Sequence, residues 1–270
     1  MDPTMIVLTG ATGGVGRAVA TALAERGAHL VLTARDGEAL EAVATMVRER
    51  GGRAVAHPCD LRDQQAVAEL AERILAEDGV PEAVLNLAGH CVHRDLEATF
   101  GRPHDLVRLT GTNLLGPAAL ILALLAPMCA AGRGRIVAVT SASTRIPAPG
   151  WAAYGASKAG LDSWLRAIRP QAEAQGVGVA IVELPLVATS MATPTYGSSP
   201  RGALEPSQAA ARVLRALDSR RTLVSPPWSR LGAVLSQAAP ALTARAAGAG
   251  SRVAQRLSRR ETGSGSGSLR

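Results

Sequence analysis

Unbroken apolar runs of four to eight residues recur along this chain and alternate with longer stretches of helical periodicity. Met5–Thr9, His29–Ala34, Arg53–His57, Glu82–Leu87, Arg135–Thr140, Val177–Leu184 and Thr222–Ser225 read as strands. Strands that are apolar throughout, rather than at every second position, are buried on both faces. Between them, Val15–Arg26, Gly37–Arg50, Asp63–Glu77, Trp151–Gln175 and Pro206–Asp218 read as helices. In Gly37–Arg50, for example, Leu40, Val43, Ala44 and Val47 form one stripe. Strands and helices of these lengths in strict alternation predict βαβ units and a doubly wound parallel α/β sheet, one domain over residues 1–225.

Two stretches need separate treatment. Leu109–Gly132 is 24 residues without a charge, long enough to cross a bilayer. It is interrupted by Asn113, Gly116, Pro117 and Pro127, however, and its most apolar part, Ala118–Ala126, is short. A buried core or subunit-interface helix is the better reading. After residue 225, Trp228, Leu231, Leu235, Ala238 and Leu242 recur at helical spacing, with Pro240 set to kink or divide the helix. Val253 and Leu257 follow among arginines, and Gly263–Ser268 is a flexible repeat. This makes residues 226–260 a helical extension and 261–270 a tail.

Composition sharpens the picture. With 47% hydrophobic and 19% charged residues the chain is not disordered, and 270 residues bury a core without disulfide or metal staples. Cys59, Cys91 and Cys129 form no CxxC pair, which points to a reducing, cytoplasmic location. Met1–Thr4 carries no basic targeting region. The net charge of +7 is uneven: residues 225–270 hold seven arginines against Glu261 alone. The chain is therefore a nearly neutral body with a basic extension, not a nucleic-acid-binding fold.

The first strand ends in Thr9-Gly10-Ala11-Thr12-Gly13-Gly14-Val15-Gly16 and a helix follows at once. Glycines at such a turn let a pyrophosphate approach the backbone, and the helix N-terminus supplies free N–H groups. This is the context of a Rossmann-type dinucleotide site. The TGxxxGxG spacing resembles the short-chain dehydrogenase/reductase family, and the resemblance extends over nearly all of residues 5–225. Asn86-Leu87-Ala88-Gly89 is similar to the family's NNAG segment, with Leu87 in place of an Asn. Asp60, followed by Leu61, matches the acidic position beside the adenine ring. Asn113, Ser141 and Tyr154-xxx-Lys158 match the catalytic set.

The resemblance implies a cofactor held by Gly10, Thr12, Gly14, Val15, Gly16, Arg35, Asp60, Leu61, Asn86, Ala88, Gly89, Tyr154, Lys158, Val187 and Thr189. At the end of the second strand an acid would bond the ribose hydroxyl of NAD, and an Arg accommodates the 2′-phosphate of NADP. Here Ala34 stands at the acidic position and Arg35 follows it. NADP is thus expected over NAD, since a guanidinium grips phosphate with paired bonds.

Tyr154 and Lys158 are one helical turn apart and share a face. They are one of two tyrosines and the sole lysine of the chain. A phenol titrates near ~10, and a neighbouring ammonium is expected to lower it toward neutral pH. Tyr154 would then exchange a proton with a carbonyl oxygen held by Ser141. The family also has its Lys contact the nicotinamide ribose and its Asn support a proton relay. After the sixth strand, Pro185 replaces the family's Gly, while Val187 and Thr189 fall where the nicotinamide amide is held. Pro185–Thr195 partly resembles a bacterial branch that includes fatty acyl-CoA reductases.

Residues 190–205 are expected to form a lid. His90, Cys91 and His93 are read as lining the substrate mouth, because HCxH lacks a fourth ligand for a metal. The reading is an NADPH-dependent reductase of a ketone, aldehyde or acyl thioester, with a lipid or acyl-CoA among the candidate substrates and no metal. The alternative is a dinucleotide-binding sensor or scaffold. The resemblance also implies a homo-oligomer. The extension either packs on the body or a sister subunit, or lies as a basic amphipathic segment on an anionic membrane.

Overall fold

The computed structural model describes residues 4–197 and 200–250. The strands are β1 (Met5–Thr9), β2 (His29–Thr33), β3 (Arg53–Ala56), β4 (Ala83–Asn86), β5 (Gly134–Ser141), β6 (Val177–Leu184) and β7 (Leu223–Val224). They form one seven-stranded sheet in the order β3-β2-β1-β4-β5-β6-β7, parallel throughout. The order reverses between β1 and β4, and the crevice beyond the strand C-termini at such a point is where doubly wound sheets bind ligands.

The helices are α1 (Gly14–Ala24), α2 (Gly37–Glu49), α3 (Gln64–Arg73), α4 (Leu96–Thr99), α5 (Pro103–Thr110), α6 (Gly116–Ala130), α7 (Ala152–Ala174), α8 (Thr193–Tyr196), α9 (Pro206–Asp218) and α10 (Pro227–Ala238). Their starts follow from side-chain chemistry. Asp36 accepts from Ala39 N–H at the head of α2, and Asp63 accepts from Gln65 and Ala66 N–H at the head of α3. Glu205 and Gln208 form a capping box on α9 with Pro206 in its first turn. Apolar side chains fill both faces of the sheet: α1, α2 and α9 cover one, and α3, α6 and α7 the other. β1, β6 and α9 have the bounds expected from the sequence, and the other expected elements differ by up to four residues at an end, as frayed helix ends and short strands do.

The uncharged segment is part of a continuous helical stretch, Pro103–Ala130, which is by length and composition apolar enough to span a membrane. Leu109, Leu120, Leu124 and Met128 are fully buried in the domain, so one face of this stretch is core. Between α5 and α6, Gly111–Leu115 makes a π turn closed by Gly116 N–H to Gly111 O. Pro117 has no N–H to offer the Asn113 carbonyl, and widening the helix by one residue accommodates that loss. The proline thus shapes the turn that carries Asn113.

In the extension, α10 ends at Ala238 and helical structure resumes over residues 240–250, so Pro240 divides the helix. Val253, Leu257, the arginines around them and the Gly/Ser repeat lie outside the described residues.

Candidate active site

The β1–α1 turn is built on two glycines whose geometry admits nothing larger. Gly10 has φ +69°, and a Cβ on it would lie 2.8 Å from the Ala88 nitrogen. A Cβ on Gly16 would lie 2.1 Å from the Gly10 carbonyl oxygen. The turn is locked to the end of β4 by Thr9, whose Oγ1 donates to Asn86 Oδ1 (2.7 Å) and accepts from Ala88 N–H (3.1 Å). The sequence reading did not single out Thr9. The signal for it was a hydroxyl at the last residue of a buried strand.

Beyond this turn opens a cleft of about 400 Å³. Of the residues expected to bind or react, Gly10, Gly14, Val15, Gly16, Gly89, Ser141, Tyr154, Lys158, Val187 and Thr189 line it together. They come from the first turns of α1 and α7, from the end of β5 and from the loops after β1, β4 and β6. Thr12, Arg35, Asp60, Leu61, Asn86, Ala88 and Asn113 do not line it. Asn86 and Asn113 are buried behind it, and Leu61 is a core side chain, so only the backbone of Leu61 is available to a ligand. Arg35 and Asp60 lie at the ends of β2 and β3, where the strand order carries the crevice sideways.

Asn113 is fully occupied. Its Nδ2 donates to the His90 carbonyl and to Ser157 Oγ, both at 2.8 Å, and its Oδ1 accepts from His90 N–H at 2.8 Å. The side chain therefore fixes the loop after β4 against α7. Ser141 Oγ shares a hydrogen bond with Ser143 Oγ (2.8 Å) and faces the Tyr154 hydroxyl.

Lys158 corrects the expectation made for it. Its Nζ donates to the carbonyls of Ala88 (3.2 Å) and Val139 (3.1 Å). It is not among the groups that shift Tyr154. Burial pushes the phenol up to about 12, with Ser141 acting in the opposite sense and Cys91 and Tyr196 adding to the rise. Burial likewise lowers the Lys158 ammonium to about 8. Burial is the largest influence on both groups.

The cofactor edge has one uncommitted cation. Arg35 is exposed and has no carboxylate within ion-pair distance among the described residues, whereas Arg62 is paired to Asp60 (Nε–Oδ1 3.0 Å) and holds that carboxyl low. Asp36, the nearest acid to Arg35 in sequence, is engaged as the cap of α2. The glycine cradle fits a dinucleotide. The buried Asn86 Nδ2 and Thr140 Oγ1, which have no partner among the described residues, add unmet polar groups near the strand ends.

The substrate side is aromatic. The chain has three Trp, two Tyr and one Phe, and Trp151, Tyr154, Tyr196 and Trp228 all line the cleft. Tyr196, on α8, stacks on Trp151 at 6.0 Å and 14°. Trp151 meets Tyr154 edge-on at 5.7 Å, and His93 meets Trp151 edge-on at 5.0 Å. Trp151 was missed from sequence, although its rarity in so aromatic-poor a chain was the available clue. Cys91 also lines the cleft, its Sγ near the Met191 carbonyl (3.6 Å). Among the described residues no three His, Cys, Asp or Glu side chains converge as a metal site.

The comparisons agree with this geometry. Residues 4–198 match the family model of the short chain dehydrogenases. This chain therefore belongs to the short-chain dehydrogenase/reductase family and is an NAD(P)-dependent oxidoreductase with a Rossmann-type fold. An uncharacterized oxidoreductase of Mycobacterium tuberculosis is 36% identical over 89% of this chain and 72% of its own. A fatty acyl-CoA reductase of Acinetobacter baylyi is 32% identical over 87% of this chain and 79% of its own. A metagenomic short-chain oxidoreductase, solved in complex with NADP, superposes with a TM-score of 0.70 at 33% identity, covering 82% of this chain and 94% of that one.

Proposed function

We propose that this protein is an NADPH-dependent reductase of an apolar ketone, aldehyde or acyl thioester, with Tyr154 as the proton donor. The observation that carries the reading is the meeting of Ser141, Tyr154 and Lys158 with the glycine turn in one cleft. When bound, the dinucleotide supplies a hydride to the carbonyl carbon. Ser141 holds the carbonyl oxygen by hydrogen bonding, and Tyr154 delivers a proton to it. With its pKa pushed up to about 12 by burial, Tyr154 holds its proton at neutral pH and has one to give to that oxygen. Lys158 supplies positive charge beside the reacting oxygen and the ribose, and Asn113 acts as a positioning residue. Arg35 receives the 2′-phosphate, a reading supported by its exposure and by the absence of an acid at position 34, where Ala34 stands.

The stacked Trp151 and Tyr196, with Met191 and Leu186, suit an apolar substrate body. Relatives named as fatty acyl-CoA reductases support an acyl thioester as one candidate substrate. The exposed Leu106, Val107, Leu115 and Leu122 between Pro103 and Ala130 suit contact with a second copy, and the arginine-rich, acid-free sequence of residues 226–260 suits peripheral membrane contact of a cytoplasmic protein. The test is NADPH oxidation, followed at 340 nm, over a panel of ketones, aldehydes and acyl thioesters of graded chain length. Turnover of at least one class by the wild type and not by Tyr154→Phe is expected. No turnover of any class would leave only the sensor reading.

A further inference from the structure

Helix α10 faces its own body with its smallest side chains. Ser229 and Ala233 are buried, and Gly232 is so close to Ile146 that a Cβ would lie 2.5 Å from Cδ1. Its large side chains point the other way: Leu231 and Val234 are each 62% exposed, Leu235 47%, and Leu242 in the following helical stretch 67%. An amphipathic helix with no partner but its own domain would be turned over, with its leucines inward. Contiguous exposed apolar side chains of this kind mark an interaction surface.

Charge identifies the occupant. From Arg220 to Arg260 the sequence holds eight arginines and no Asp or Glu, and Arg230 and Arg245 are exposed on the described helices. A two-fold contact between copies would set this patch against itself, arginine facing arginine. An anionic bilayer offers hydrocarbon to the leucines and negative headgroups to the arginines. Trp228, at the N-terminal end of the stripe, both is exposed and lines the active-site cleft. Docking the stripe therefore brings the cleft mouth to the lipid surface.

We propose that α10 and the helical stretch after it dock on an anionic lipid bilayer and set the cleft mouth at Trp228 against it. A long-chain carbonyl substrate then enters from the membrane. Only this last step rests on the reductase reading.

The full chain should be sedimented with vesicles of phosphatidylcholine alone and of phosphatidylcholine with phosphatidylglycerol. Binding to the anionic vesicles at least tenfold above the neutral ones is expected, weakening as salt rises. The double variant Leu231→Glu/Leu235→Glu, at exposed positions, should lose at least tenfold of that binding. Its reduction of a short, water-soluble carbonyl should stay within twofold of wild type, while its reduction of a long-chain carbonyl held in vesicles falls at least fivefold. Absence of wild-type pelleting overturns the proposal, as does equal pelleting of the variant. If the variant instead turns a dimer into a monomer without any vesicle binding, the stripe is a self-contact and the proposal fails. Pelleting without turnover of any carbonyl would uphold the docking surface and remove the reductase reading.

Discussion

Glu183 and Ser229 hold the C-terminal helix to the sheet: Ser229 Oγ donates to Glu183 Oε2 at 3.1 Å, with both residues 2% exposed. The same carboxylate accepts from Ser225 (2.5 Å) and is bridged by Arg145 from the loop after β5. Arg166 on α7 approaches it at 3.5 Å. One buried acid at the end of β6 thus ties together the loop beside Ser141, the helix of Lys158 and the helix that carries Trp228 into the cleft.

Replacing Glu183 with Gln keeps the shape and removes the charge that Arg145 and Arg166 face. Charged hydrogen bonds and part-buried pairs of this kind are worth ~2 kcal/mol. A stability loss of that size in urea, read from the shift of the midpoint, is expected. Because Trp228 and the Ser141 loop lose their common anchor, KM should rise more than kcat falls. An unchanged midpoint would show that the network contributes nothing.

Tyr154→Phe should lower the rate of carbonyl reduction by ~10²–10⁴-fold, the usual contribution of a positioned acid. NADPH affinity, measured by fluorescence titration, should stay within about twofold, because the hydroxyl acts in the transition state and not in holding the dinucleotide. Near-normal turnover would remove Tyr154 from the mechanism.

The pH profile follows from the two shifted groups. Lys158 carries its charge below about 8 and loses it above, while Tyr154 remains a proton donor up to about 12. The kcat/KM for reduction should therefore be level below pH 8 and fall as pH rises through it. Oxidation of the corresponding alcohol, which needs the phenolate, should gain as pH rises. A reduction rate that climbs between pH 8 and 9 would contradict both assignments.

NADPH should be preferred over NADH by at least about tenfold in kcat/KM, equivalent to ~1.4 kcal/mol. Combining Ala34→Asp with Arg35→Ala puts an acid where the ribose hydroxyl is read and removes the phosphate partner. The double variant should reverse the preference in paired steady-state assays. A wild type that uses NADH better would place the 2′-phosphate contact elsewhere.

Much of this was determined by sequence alone, because it depends on local chemistry. Apolar runs alternating with helical stripes specify a parallel sheet buried on both faces, and the observed strands begin and end close to where those runs do. Gly10 and Gly16 were legible because a strand-to-helix turn around a phosphate leaves room for no other residue. The Tyr154–Lys158 spacing follows from one helical turn, and the bare cation at Arg35 is a matter of which residue type stands there.

Only the tertiary structure could decide how shared faces are used. Periodicity places Trp228, Leu231 and Leu235 on one side of a helix but does not say which side meets the body. In the fold Gly232 lies against Ile146 and Ser229 and Ala233 are buried, so the leucines point outward. The sequence names Asn113 as a site residue, and packing supplies its partners: behind the cleft its amide donates to His90 and Ser157. Lys158 reads as the charge that lowers Tyr154, yet it donates hydrogen bonds to the carbonyls of Ala88, in the loop after β4, and Val139, on β5. In each case the side chain is fixed by sequence, while its partner comes from a distant strand or loop and is set by packing.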